Sequence, residues 1–135
     1  MIKIKRFTQG LLGSNTYVVW DEISKEAAVI DTGNSDAVVK EVIDKEKLSL
    51  KYIILTHAHF DHIYGMSALA KEYDIPVYAH EGEMFTLEKT NPQVCGAYGL
   101  PLPELHPFTY VSEGDNIEVG SLRFRVIETP GHSKG

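Results

Sequence analysis

The sequence predicts an α/β layered domain, a mixed sheet that carries helices on one face. Short β-rich runs open the chain, strand–helix units fill its middle, and a hairpin pattern returns near its end. At 135 residues the chain fits one domain, residues 1–135.

"MIKIKRF" alternates apolar and polar residues, as a half-buried strand does. After the turn-like "GLLGSN", Thr16–Trp20 and Ala27–Ile30 read as two further strands, with polar "DEISKE" as their hairpin connection. "DTGNSD" breaks the strand pattern and offers Asn34 or Ser35 as a helix N-cap. Val38, Val39, Val42 and Ile43 follow at helical spacing. "KYIILT" is a short buried strand. A second helix is expected from Asp61 onward, because Ile63, Met66, Leu69, Ala70 and Tyr73 keep a helix period. "IPVYAH" reads as a strand and Glu81–Thr90 as a third helix with acids in its first turn. Pro92, Pro101, Pro103 and Pro107 predict a long irregular loop over 91–107. "DNIEV", a turn at Gly120 and "LRFRVIE" make a hairpin. The chain stops at "TPGHSKG", a tight turn behind a strand, so the domain is expected to be incomplete at its C-terminus.

A formal net charge of −6 argues against a nucleic-acid partner, which needs a basic face. No apolar run approaches the roughly 20 residues of a membrane span, and "MIKIKRF" lacks the apolar core of a signal peptide. Cys95 is the one cysteine, which excludes an internal disulfide and suits a reducing compartment; a cytoplasmic location is expected.

The chemistry is concentrated in "THAHFDH", residues 56–62. A single histidine at a strand end is ordinarily a polar loop residue. Here His57, His59, Asp61 and His62 crowd six positions behind an apolar strand, and without a cation they would leave desolvated polar atoms unpaired. In extended backbone His57 and His59 point the same way, while Asp61 and His62 form a second pair at the start of the next element. Such nitrogen and carboxylate donors suit Zn²⁺, and Fe²⁺ or Mn²⁺ also accept them. "ETPGHSKG" offers His132 on a Pro-Gly turn, which would complete a three-histidine set with His57 and His59. Three protein ligands plus water is the pattern of a catalytic zinc. Elsewhere the ordinary readings hold. His80 caps or packs at a strand end, and His106 is solvated among prolines. Cys95 has no base to activate it, and Tyr64, Tyr98 and Phe108 are core or pocket residues.

"THAHFDH" at 56–62, "TPGH" at 129–132, "GSNTYVV" at 13–19 and "IDTG" at 30–33 together resemble the metallo-β-lactamase superfamily. The phrasing, including "GDNIEVGSLRFRVIETPGH", looks most like its glyoxalase II-like (hydroxyacylglutathione hydrolase-like) members. The resemblance implies a four-layer αββα sandwich, of which this chain is the N-terminal half and the beginning of the second. It implies that His57, His59 and His132 hold a first metal, that Asp61 and His62 contribute to a second, and that Asp61 positions or deprotonates the attacking water. Asp31 matches the family's structural aspartate, standing behind a ligand to orient it; a plain turn role in "DTG" is equally open. The implied activity is metal-dependent hydrolysis of a carbonyl substrate such as an acyl thioester. A non-catalytic metal-binding fragment and a redox di-iron scaffold are the alternatives. An uncovered half-sandwich is also expected to expose apolar sheet surface and to form a homodimer or swapped assembly.

Overall fold

The computed structural model describes residues 1–10 and 12–135. The turn expected over "GLLGSN" includes Leu11, which lies outside the described residues. Six strands form one mixed sheet: β1 (Ile2–Gln9), β2 (Ser14–Asp21), β3 (Glu26–Ile30), β4 (Ser49–Ile54), β5 (Val77–His80) and β6 (Phe108–Val111), side by side in that order. The first three pair antiparallel, whereas β3 to β6 run parallel. Helix α1 (Ala37–Glu46) links β3 to β4, and α2 (Met66–Tyr73) links β4 to β5. A helical run of α3 (Glu83–Phe85), a π turn (Thr86–Thr90) and α4 (Asn91–Tyr98) lies between β5 and β6. Right-handed crossovers that advance in one direction along a sheet leave their helices on one face. The core agrees with this. Val39, Val42 and Ile43 of α1 and Met66, Leu69 and Ala70 of α2 share one apolar cluster with Val18, Val29, Ile53 and Val77 of the strands.

The second face carries Ile4, Val19, Ala28 and Tyr52, which oppose one another across β1 to β4. The hairpin β7 (Asn116–Val119) and β8 (Leu122–Arg125) covers part of it, with Ile117 and Val119 buried. Its turn is tied to the sheet by Asp21, whose carboxylate accepts from Ser121 N (2.9 Å), Ser121 Oγ (2.8 Å) and Ile23 N (3.0 Å). Ile4 remains 60% exposed, so this face is covered only in part. No helix among the described residues is long and apolar enough to cross a membrane.

Three expectations are corrected. Asp36, not Asn34 or Ser35, precedes the first residue of α1; Ser35 Oγ accepts from Ala37 N instead, in a turn that leads into the helix. The second helix starts at Met66 rather than Asp61. Phe60–His62 form a single 3₁₀ turn, and Ile63 is then held in a parallel bridge to Gly33 before the helix can begin. Residues 91–98 are helical, with Pro92 in the first turn of α4, where its missing N–H costs little. Only the later part of the expected loop, 99–107, is irregular. Strand β6 was not anticipated from "FTYV", a short edge strand directly behind Pro107.

Candidate metal centre

Asp31, Thr56 and the loop that follows lie beyond the carboxyl ends of β3 and β4, the usual ligand position of a parallel sheet. Asp31 adopts φ 56°, a left-handed conformation that aspartate tolerates better than most residues. From there its carboxylate receives Thr56 N (2.8 Å), Thr56 Oγ1 (2.5 Å) and His62 Nδ1 (3.0 Å). Asp31 therefore fixes both ends of the histidine loop.

The rest of the loop is held by backbone contacts from the motif residues. Ser14 Oγ donates to the Asp61 carbonyl (3.0 Å), and Thr32 Oγ1 and Gly33 N donate to that of His62 (3.2 and 3.0 Å). Gly33 stands at φ 68°, and a Cβ there would lie 2.5 Å from Thr16 Oγ1, so no other residue fits. This is the physical content of "GSNTYVV" and "IDTG": they grip the loop from below.

From the other side the loop is gripped by the third helical run. Glu83 is fully buried, and its Oε1 accepts from Ala58 N (2.7 Å). Asn91 Oδ1 accepts from Phe60 N (2.9 Å), while its Nδ2 donates to the Ala58 carbonyl (2.8 Å). In an unbroken α-helix, residues eight apart stand about 80° apart around the axis. The π turn absorbs one residue, so Glu83 and Asn91 sit as residues seven apart would, both towards the loop. Glu83 Oε2 also accepts from Ser133 Oγ and Gly135 N, each at 2.8 Å. One carboxylate thus joins the histidine loop to the turn that carries His132.

The result is a cluster of imidazoles. His57, His59 and His132 each offer a nitrogen, all within 4.8 Å of one another. His59 Nδ1 and His132 Nε2 are 3.1 Å apart, close to the roughly 3.4 Å expected between two nitrogens on a tetrahedral zinc. Asp31, His57 and His62 form a second set of the same tightness. Asp61 lies outside both sets, with Oδ2 3.5 Å from His62 Nε2. Burial, with repulsion from His62, lowers the His57 pKa to about 4, and burial with the His132 neighbour lowers that of His59. Both rings are therefore held neutral, which is the form that ligates a metal. His62 goes the other way. Burial disfavours its charge, but the hydrogen bond and charge of Asp31, with Asp61, outweigh it and raise the pKa. The donor set, with His57 and His59 held neutral, fits a divalent ion.

The family model described as the metallo-β-lactamase superfamily matches residues 9–135. This chain belongs to that superfamily. It is 33% identical over 130 residues to hydroxyacylglutathione hydrolase of Buchnera aphidicola subsp. Baizongia pistaciae, a match that covers 96% of this chain and 44% of that protein. Among solved structures it is similar to the B3 metallo-β-lactamase BLEG-1 (TM-score 0.85, 32% identity, 98% of this chain and 64% of that one). It is also similar to TTHA1623 in a di-iron-bound form (TM-score 0.78, 32% identity, 97% and 63%). The chain spans 62% of the length of several curated relatives that it matches along nearly its whole length.

Of the residues singled out in the sequence, His57, His59 and His132 meet, and His62 joins Asp31 and His57. His80 behaves as read: Nδ1 accepts from Gly82 N (3.0 Å) and Nε2 contacts Glu128 Oε1 (2.9 Å). Cys95 is buried, and burial raises its pKa, as suits an inert thiol. Sequence reasoning missed Thr56, Glu83 and Asn91. The acids at the start of the third helix were visible, but were read only as complements to its dipole.

Proposed function

We propose that this chain carries the metal site of a hydrolase that directs water onto a carbonyl carbon, with an acyl thioester as the substrate class. The observation that supports it is the meeting of three imidazoles from two segments more than seventy residues apart in sequence. In this reading His57, His59 and His132 would hold the first ion, and Asp61 and His62 would contribute to a second. When bound, a divalent ion supplies water acidic enough to be a nucleophile near neutral pH and an electrophilic partner for a carbonyl oxygen. The chain's own residues do the remainder. Asp61, on the rim of the neighbouring cavity, orients the attacking water and accepts its proton at a carboxylate oxygen. Asp31 keeps the His62 ring and the start of the loop in register. Zn²⁺ is the favoured ion by donor type, with Fe²⁺ or Mn²⁺ as alternatives.

The test is metal analysis of the purified protein together with thiol release from an acyl-glutathione thioester. Stoichiometric metal and thioester cleavage that His59→Ala abolishes are expected. Tight metal binding with no cleavage would reduce the reading to a metal-binding module. The similarity to di-iron-bound TTHA1623 supports a second reading, a redox di-iron centre. Two irons with a redox-sensitive absorption spectrum would favour it.

A further inference from the structure

Beside the histidine loop, on the side towards Asp61, lies a cavity of about 760 Å³. That is within the roughly 300–1,000 Å³ of small-molecule sites. Its walls are Leu12, Phe60, Tyr64, Val94, Tyr98 and Leu100, drawn from the β1–β2 turn, the histidine loop and the end of α4. Phe60 and Tyr64 stand edge to face, 6.0 Å between centroids. The Tyr64 hydroxyl is already spent on the Pro101 carbonyl (2.8 Å), so the tyrosine turns its ring to the cavity with its polar end satisfied. Leu12 and Tyr98 are 66% and 76% exposed. Large apolar side chains gathered around one concavity and left open to water mark a surface that gains by being covered.

The charge of the lining chooses among ligands. Among the described residues of the lining, Asp61 is the only side chain with a formal charge at neutral pH, and it is negative. In the metal-free protein a carboxylate, sulfate or phosphate seated beside Asp61 would be repelled, and no cationic side chain of the lining would offset the hydration it loses. Asp61 also belongs to the histidine loop, so the cavity adjoins the segment that carries His57, His59 and His62, although none of these three lines it. We infer that this cavity receives the uncharged, apolar acyl portion of the substrate, an aliphatic chain or an aromatic ring, and not an anionic thiol carrier. The inference rests on the hydrolase reading for the role of its ligand, but its test is a binding measurement that does not.

The probes are butanamide, hexanamide and octanamide, which are neutral and resist hydrolysis, with octanoate and glutathione as charged controls. Each is titrated into the protein as purified, and the Leu12, Val94 and Leu100 methyl signals are followed by ¹H–¹³C NMR. Octanamide is expected to shift these methyls saturably, with affinity rising about fourfold for each methylene added along the amide series. With the metal removed by a chelator, octanoate should bind at least tenfold more weakly than octanamide. Leu100→Ser and Tyr98→Ser, both at exposed positions, should weaken octanamide while the remaining methyl spectrum shows an intact fold. His59→Ala should leave octanamide binding unchanged, since the cavity does not depend on the metal. Glutathione shifting these methyls where octanamide does not would overturn the inference, as would the absence of any chain-length dependence. Unmutated protein that binds octanamide but takes up no metal would count against the hydrolase reading alone.

Discussion

The segment Thr56–His62 and the turn Thr129–Gly135 both deliver histidines to the cluster, yet they are held very differently. The first leaves the sheet directly from β4 and is gripped on three sides, by Asp31, by Ser14 with Thr32 and Gly33, and by Glu83 with Asn91. The second follows a short hairpin, and its side of the cluster is tied through Glu83 and the contact between His59 and His132. His57 and His59 are partly buried, whereas His132 is exposed. Two of the proposed ligands are therefore preorganised by the fold, and the third is brought in by one buried carboxylate. Preorganised ligands lose little freedom when an ion binds, whereas a loosely held one must be ordered at that moment.

The largest effect should come from breaking the shared anchor. Glu83→Ala leaves the Ala58 N–H without its acceptor in a buried site and releases the terminal turn. A stability loss on the order of 3 kcal/mol is expected in chemical denaturation. Glu83→Gln sharpens the comparison. Its amide oxygen still accepts from Ala58, while its NH₂ cannot accept from Ser133 and Gly135. Amide exchange should then accelerate across 131–135 and stay slow across 57–60. Equal acceleration in both segments would break the distinction.

Asp31 comes next. Asp31→Ala removes the carboxylate that holds Thr56 and His62, and metal affinity measured by chelator competition should fall about 10–100-fold. Asp31→Asn keeps an acceptor for Thr56 and tolerates the left-handed backbone, so its loss should be smaller.

The smallest effect is in protonation. In metal-free protein, imidazole ¹⁵N shifts should show His57 neutral down to a pH of about 4 and His62 protonated at a pH above that of a free histidine. The folded His57 binds its proton less readily than the unfolded chain, whose histidines titrate near 6.5. Stability should therefore fall as pH drops from 6.5 towards 4. His62 contributes the opposite slope, being stabilising when charged and losing that contribution as pH rises through its folded pKa. A His57 ring charged at pH 6 would contradict the buried environment on which its preorganisation depends.

Much of this was readable in the chain. Strand alternation and helix period marked the core of the sheet, α1 and the body of α2, because a buried face imposes its period on local sequence. The donors at 57–62 were equally plain, since four of them stand within six residues. What supports them was not. Glu83 and Asn91 bind backbone atoms 25 to 33 residues away, and a hydrogen bond to a peptide group leaves no trace in the partner's side chain. A π turn brings them into closer alignment, and it has no compositional signature in "TLEKT". Pro92 misled because proline looks alike in a loop and in the first turn of a helix. The start of α2 was misjudged because Ile63 keeps the helix period while its backbone is committed to a bridge with Gly33.

The account stands on the two segments sharing one ion, and X-ray absorption at the zinc edge tests that most directly. Zinc-loaded protein should show three imidazole nitrogens at about 2.0–2.1 Å, and His132→Ala should reduce the count to two. A first coordination sphere that His132→Ala leaves unchanged would show that the terminal turn takes no part in the site.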